Sequence, residues 1–132
     1  MVIFKTPPGT RRVLTRHKGA TGVVVYARYN LMRGWPTSPG WDAIGVRIDR
    51  EKKARDILRQ LRRGPIWLGL DPGRHRIAFL GAFNPPEVRS FDVDLTEGEV
   101  ILIDFVPIGT WPFYRPDQPV WNIRSVRPGR SR

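Results

Sequence analysis

The chain has 132 residues, of which 40% are hydrophobic and none is cysteine, and its formal net charge is +11. This length suits one domain with one core, and the lack of cysteine excludes a disulfide framework and a thiolate metal site. The sequence has no apolar run long enough for a signal peptide, no lipid-attachment cysteine and no apolar stretch that would span a membrane. A cytoplasmic protein is therefore expected.

The first 21 residues predict a basic arm without a fold of its own. Residues 1–20 contain five basic residues and no acidic one. Low hydrophobicity with uniform charge is typical of segments that bury too little apolar surface to fold. We therefore assign 1–21 to a flexible N-terminal arm, 22–126 to a β-sandwich domain, and 127–132 to a basic C-terminal tail.

Apolar and β-branched residues that mostly alternate with polar ones predict about seven short strands. The run from Val100 to Val106 is apolar on both faces, which is typical of a central strand, whereas the last predicted strand is expected at an edge. The predicted strands cover residues 23–29, 44–48, 66–70, 76–79, 91–95, 100–106 and 120–124.

The segment from Ile66 to Phe79 has the strongest local signal in the sequence. Its apolar residues alternate on both sides of Asp71-Pro72-Gly73. Proline fixes φ at about −65° in the first central position of a tight turn, and glycine permits a positive φ in the second. The segment therefore predicts a β-hairpin, in which the strands before and after the turn pair with each other.

Residues 50–63 change to a helical period. Apolar side chains recur at the i, i+3, i+4, i+7 spacing, Asp49 suits an N-cap, and Gly64 suits the end of the helix. This predicts a short amphipathic helix with a basic ridge opposite its apolar stripe, although an extended connection is the alternative. The apolar positions are Ala54, Ile57, Leu58 and Leu61, and the ridge consists of Lys52, Arg55, Arg59, Arg62 and Arg63.

These elements together predict a mainly β fold, an antiparallel sandwich of immunoglobulin-like or transthyretin-like type with one short helix. Four motifs follow one another in the chain: Gly45-Val46-Arg47-Ile48-Asp49, Leu61-Arg62-Arg63-Gly64, Leu70-Asp71-Pro72-Gly73-Arg74-His75-Arg76-Ile77 and Val93-Asp94-Leu95-Thr96-Glu97-Gly98-Glu99. Their order, over residues 44–106, resembles the small bacterial β-sandwich modules of the PEGA and DUF2846-like kind.

That resemblance implies a non-catalytic interaction or envelope-associated domain, often in an exported protein. The chain departs from the pattern because it has neither an export signal nor a lipidated cysteine. Its connection from Asp49 to Gly64 is also longer and more basic. An extracytoplasmic location therefore does not follow, whereas a protein partner does.

No arrangement of catalytic or metal-binding residues is evident. His17 and His75 lack partners at metal-ligand spacing, and His75 is expected to cap or stack at the turn. Asp92 and Asp94 lie on one strand face, which is interpreted as solvated. Phosphate-loop, dinucleotide and serine-nucleophile motifs do not occur. The chain is expected not to be an enzyme and to need no cofactor and no metal.

Two kinds of candidate binding residue remain. Trp67 is predicted to pack at the edge of the core, whereas four tryptophans in loops or at edges either cover the ends of the sandwich or form an aromatic binding surface. These four are Trp35, Trp41, Trp111 and Trp121. The candidate polyanion-binding cations are Arg11, Arg12, Arg16 and Lys18 in the arm, Lys52, Arg55, Arg59, Arg62 and Arg63 on the ridge, and Arg127, Arg130 and Arg132 in the tail.

Two functions stay open on this basis. The first is an interaction or scaffold module that binds a protein partner, with the charge aiding solubility. The second is a polyanion-binding protein whose arm, ridge and tail neutralise the phosphates of nucleic acid, of a ribosome or of an anionic membrane surface. The resemblance favours the first, whereas the three basic clusters favour the second. The oligomeric state does not follow from the sequence.

Overall fold

The computed structural model describes residues 6–28, 45–81, 87–105 and 121–129. These residues form two helices and two four-stranded sheets, so the predicted mainly β, sandwich-like fold is confirmed. The elements in chain order are α1 (Thr10–Arg16), β1 (Gly22–Ala27), β2 (Gly45–Ile48), β3 (Arg55–Asp56), α2 (Leu58–Arg63), β4 (Ile66–Gly69), β5 (Gly73–Leu80), β6 (Glu87–Leu95), β7 (Val100–Phe105) and β8 (Trp121–Arg127). Neither helix has the length of a membrane span, and no other helix is described.

The strand order is β4-β1-β7-β8 in the first sheet and β3-β2-β5-β6 in the second. The prediction that all strands run antiparallel is wrong for one pair, because β1 and β7 are parallel, with Val23 opposite Ile101. The whole second sheet lies between these two strands in sequence, and parallel neighbours require such a long crossover. The remaining pairs in both sheets are antiparallel.

The main core lies between the two sheets. Strand β1 is buried on both faces, which its unbroken run of valines allows. Val23 and Val25 belong to the cluster that packs between the sheets, whereas Val24 belongs to a second cluster. The main core contains a cluster of four aromatic residues. Phe79 lies at its centre and contacts Phe91, Phe105 and Trp121.

The second cluster lies under helix α1, on the outer face of the first sheet. Val24, Val100 and Leu102 are buried there, and Val13 and Leu14 of α1 pack against them. The prediction of an arm without its own structure is therefore wrong for residues 10–16, which form α1. Two adjacent apolar residues were too weak a pattern to predict this helix, because the surface that they bury belongs to distant strands.

The predicted hairpin around Asp71-Pro72-Gly73 is also wrong. The chain does reverse there, and Gly73 has the expected positive φ of 124°. However, β4 pairs with β1 in the first sheet, whereas β5 pairs with β2 and β6 in the second. The turn therefore connects the two sheets. The prediction fails because alternation shows which face of a strand is buried but does not show which strand pairs with it.

The helix predicted over residues 50–63 is limited to Leu58–Arg63. Asp49 has a left-handed φ of 56°, and its carboxylate accepts the backbone N–H of Arg76 instead of capping a helix. The chain then forms the short strand β3 beside β2 before α2 begins. Ile57 and Leu61 are buried as predicted, so the helical spacing is correct only for the last turn and a half.

The later strands agree closely with the sequence. Val93 and Leu95 are buried in β6, whereas Asp92 and Asp94, which alternate with them, are exposed. Strand β7 has the predicted central place between β1 and β8. Strand β8 lies at the predicted edge but extends to Arg127, so the first residue of the predicted tail belongs to the sheet.

Candidate functional site

A groove of about 1200 Å³ lies between helices α1 and α2, and we call it the α1/α2 groove. It brings together cations from two of the three basic clusters that the sequence predicts. Its functional side chains are Arg11, Arg12 and Arg16 on α1, Arg63 on α2, and Tyr26 and Trp67 below them. No Asp or Glu is among the described residues that line it.

The contact between Gly9 and Pro65 explains why the two helices meet. Gly9 precedes α1 with a positive φ of 87°, and a Cβ atom added to it would lie 3.3 Å from the Cδ atom of Pro65. Pro65 comes two residues after the end of α2, so the start of α1 lies beside the end of α2. Leu61 anchors α2 in the core and leaves Arg63 exposed. Arg63 therefore joins the arginines of α1 in lining the groove.

The arginines of the groove have no internal counter-ion. All four are exposed, and none of them has a carboxylate within 4.0 Å among the described residues. The outer face of the second sheet is different, because Arg74 and Arg76 lie opposite Asp94 and Asp92. At these two positions each arginine therefore faces an aspartate, whereas no carboxylate is described in the groove.

The two aromatic rings below the groove are half-buried and partly covered by protein groups. His17 stacks on Trp67 with ring centroids 4.3 Å apart and an angle of 9° between the planes. A Cβ atom added to Gly22 would lie 2.8 Å from the same indole, so that glycine accommodates the ring. The guanidinium of Arg28 lies 5.7 Å from the centre of the Tyr26 ring. Trp67 in particular packs at the core edge, as predicted.

The predicted basic ridge does not exist as one helix face. Only its last three members belong to α2, because the chain is not helical before Leu58. Arg59 and Arg62 are exposed but do not line the groove, and the same is true of Lys18 and Lys52.

Arg55 of the predicted ridge is internally paired. Its Nη2 atom donates to the Oε2 atom of Glu51 at 2.8 Å. This bond, with the backbone N–H of Ile48, lowers the pKa of Glu51 below its usual value. Arg55 is therefore an internally neutralised cation and lies outside the groove.

Arg127 is predicted as a tail cation that binds polyanions. In the structure its guanidinium group donates hydrogen bonds to backbone carbonyl oxygens. Its guanidinium donates to the carbonyl oxygens of Leu14 at 3.1 Å, His17 at 2.8 Å and Gly98 at 3.1 Å, and to that of Ala20. Arg127 therefore belongs to β8 and not to a tail, and its polyanion-binding role stays a prediction. Arg130 and Arg132 lie outside the described residues.

The predicted aromatic surface is described at one position only. Trp121 stacks on Phe105 with centroids 4.3 Å apart and also packs against Phe79, so it covers the core instead of forming a binding surface. The sequence leaves two roles open for these tryptophans, and Trp121 has the first of them, which is to cover the end of the sandwich. Trp35, Trp41 and Trp111 lie outside the described residues.

A second cavity, of about 680 Å³, contains His75 and Asp49. The Nδ1 atom of His75 lies 2.7 Å from the Oδ2 atom of Asp49, and its Nε2 atom lies 2.7 Å from the carbonyl oxygen of Asp71. Because both partners are acceptors, both ring nitrogens donate, which describes an imidazolium. The Asp49 bond raises the pKa of His75, and the His75 bond lowers the pKa of Asp49.

This arrangement gives His75 the structural role at the turn that the sequence predicts. Neither ring nitrogen is open to accept a proton from a substrate, so the pair does not have the geometry of a general base. No group of three or more His, Asp or Glu side chains suited to a metal ion occurs in the described part of the chain. The α1/α2 groove is therefore the stronger candidate for a functional site.

Comparison with protein-family models, with curated proteins and with solved structures finds no match for this chain. The resemblance to PEGA and DUF2846-like modules thus stays a prediction.

Proposed function

We propose that this protein is a non-catalytic nucleic-acid-binding protein that holds phosphates in the α1/α2 groove. The observation that carries the proposal is that four arginines from two helices line one groove in which no carboxylate is described. Arginine presents a planar fork of donors that matches a phosphate group, so these side chains suit a phosphate backbone. A bound polyanion would also relieve the mutual repulsion of the four charges.

The shape and packing of α1 favour nucleic acid over an anionic membrane surface. Helices that lie on a bilayer insert an apolar face between the lipids. The apolar residues of α1, Val13 and Leu14, instead pack on the first sheet. The cations also line a groove, which suits a strand better than a flat surface.

The covered aromatic rings favour binding without sequence preference. Base readout requires contacts with base edges, and tolerant single-strand binders stack bases on free aromatic faces. His17 stacks on one face of Trp67, and Gly22 lies against the Cη2 and Cζ2 atoms of the same indole, so a base does not find this ring free. Phosphate contacts therefore dominate, and they contain no sequence information.

The alternative, a module that binds a protein partner, has less support from the described surface. Such interfaces usually have an apolar or aromatic centre. Among the described residues one large hydrophobic side chain is exposed, that of Ile123, at 43%. This alternative therefore depends mainly on the family resemblance.

Charge reversal with a matched control tests the proposal. The groove variant carries Arg11→Glu, Arg12→Glu and Arg16→Glu, and the control carries Arg50→Glu, Lys52→Glu and Lys53→Glu on an exposed turn outside the groove. Affinity for short labelled single-stranded and duplex oligonucleotides is measured at several salt concentrations. Circular dichroism and the melting temperature establish that both variants fold.

We expect the wild type to bind both oligonucleotides, with a log–log salt slope of about −2.8 for the single strand and about −3.6 for the duplex when four phosphates are contacted. The groove variant should lose this binding, whereas the control should keep most of it. An equal loss in both variants would indicate a response to net charge alone and would contradict the proposal. Absence of wild-type binding at low salt, with capture of an acidic protein segment instead, would favour the alternative.

A further inference from the structure

The side chain of Arg127 joins the end of β8 to the segment that carries three of the four groove arginines. Its Nη1 atom donates to Leu14 O, and its Nη2 atom donates to His17 O and Ala20 O. Its Nε atom donates to Gly98 O in the turn before β7. One guanidinium therefore connects α1, the turn after α1, and the turn between β6 and β7.

Helix α1 is too weak to form without tertiary contacts. It has seven residues, and its N-cap, Gly9, makes no side-chain capping bond. Its first turn contains no acidic residue, although acidic residues there stabilise a helix. Isolated helices of this length are marginal in water, and neighbouring arginines repel one another.

Two sets of contacts compensate for this weakness. The first is the packing of Val13 and Leu14 on the outer face of the first sheet. The second is Arg127, because the last carbonyl groups of a helix have no partner within it and accept bonds from nearby cations. Leu14 O is such a group, His17 O belongs to the C-cap residue, and the positive charge of Arg127 also suits the C-terminal end of the helix dipole.

The bonding pattern requires a guanidinium. Arg127 donates from three nitrogen atoms to four carbonyl oxygens on separate segments. A lysine has the same charge but donates from a single nitrogen atom, so it cannot reproduce this pattern. Charge and anchoring can therefore be separated by substitution at this position.

We infer that Arg127 is a positioning residue for the α1/α2 groove. It holds α1 on the sheet so that Arg11, Arg12 and Arg16 line the groove, and it does not bind phosphate itself. This inference rests on the proposed function. It replaces the assignment of Arg127 as a tail cation, because its donors are used by backbone carbonyls.

Arg127→Lys and Arg127→Ala test the inference, with Arg74→Lys and Arg74→Ala as controls. Arg74 is 91% exposed on the second sheet, and its contact with Asp94 is a long 4.0 Å, so its replacement should change little. Three quantities are measured for each variant: amide hydrogen exchange, affinity for a labelled single-stranded oligonucleotide, and the salt slope of that affinity.

We expect Arg127→Lys to behave like Arg127→Ala despite its retained charge. The amides of Val13 and His17, which bond within and at the end of α1, should exchange at least about tenfold faster, whereas those of β1 and β7 stay protected. The salt slope should become shallower by about 2, because three phosphate contacts are lost at about 0.7 each.

Three results would overturn the inference. Wild-type exchange and affinity in Arg127→Lys would show that charge alone is needed. A slope change of about 0.7 with α1 still protected would indicate that Arg127 contacts a phosphate directly. Loss of protection in β1 and β7 as well would indicate a role in the whole fold.

A failure of the proposed function gives a different result. If the wild type binds no oligonucleotide, the positioning role fails together with the proposed function. The hydrogen-exchange data would still report whether Arg127 anchors α1.

Discussion

The imidazole of His75 lies between the carboxylate of Asp49 and the carbonyl oxygen of Asp71, at 2.7 Å from each. Asp49 follows β2 in the second sheet, and Asp71 lies in the turn that leads from the first sheet to the second. Asp49 also accepts the backbone N–H of Arg76. A protonated His75 therefore connects three segments at the place where the chain passes between the sheets.

This connection predicts a pH dependence of stability. Because folding raises the pKa of His75 above its ordinary value of 6.5, its contribution is complete below pH 6.5 and is lost as the pH rises through the folded-state pKa. Folding lowers the pKa of Asp49, so its contribution is present above pH 3.8 and is lost as the pH falls through that lowered pKa.

Urea unfolding of the wild type and of His75→Gln at about pH 5.5 and about pH 8.5 measures this effect. The free energy of unfolding should be higher for the wild type than for the variant, and this difference should be larger at the lower pH. A difference that is the same at both pH values would show that the charged form of His75 does not stabilise the fold.

A buried ion pair at the end of the first sheet gives a second prediction. The Nε atom of Arg28 donates to the Oδ2 atom of Asp104 at 2.7 Å, and the two side chains are 9% and 0% exposed. Asp104→Ala removes this carboxylate from beside a buried guanidinium, so it should lower the free energy of unfolding by about 3–5 kcal/mol.

Replacement of both partners separates charge from packing. Arg28→Met with Asp104→Leu should recover most of the loss, because apolar residues of similar volume often substitute for a buried pair. Urea unfolding measures both variants. A single variant as stable as the wild type would contradict the prediction.

The aromatic group between the sheets gives a third prediction. Phe79 is fully buried. Its ring packs edge-on against Phe91, with 6.2 Å between ring centroids, and lies tilted against Trp121, with 5.1 Å between centroids. Phe79→Ala should therefore lower the free energy of unfolding by about 3–5 kcal/mol. The control is Ile123→Ala at an exposed position, which should cost less than about 1 kcal/mol. Equal effects would show that the aromatic group is not part of the stabilising core.

Several features of the fold follow from local sequence signals. Alternation identifies the buried face of β6, and the glycines at positions 73 and 98 have the positive φ values that their turns require. The unbroken apolar run of β7 indicates its central place. These signals depend on a few neighbouring residues, so they can be read without knowledge of the partner strands.

The errors concern contacts between distant residues. The partner of β4 is β1 and not the adjacent β5, which no local pattern specifies. Helix α1 depends on Arg127, which bonds to Leu14 from 113 positions away. The same helix determines the groove, so the sequence identifies Arg11, Arg12 and Arg16 as candidate cations but not their meeting with Arg63.

For the same reason the sequence does not indicate that Tyr26 and Trp67 line a groove. Their side chains pack with the outer cluster of the first sheet, beside Val13 and Leu14. The outer face of the first sheet can be recognised as the floor of the groove only when α1 is known to pack on it. The unbroken apolar run at 23–25 was the available signal, because a strand buried on both faces requires a covering element on each side.

The most direct test of the central claim is to map the binding surface by backbone amide chemical shifts during titration with a short single-stranded oligonucleotide. If the arginines of α1 and α2 form one phosphate site, the largest shifts should lie in residues 8–16 and 60–67, with little change on the outer face of β5 and β6. Shifts concentrated on β5 and β6, or no shifts at low salt, would contradict the account.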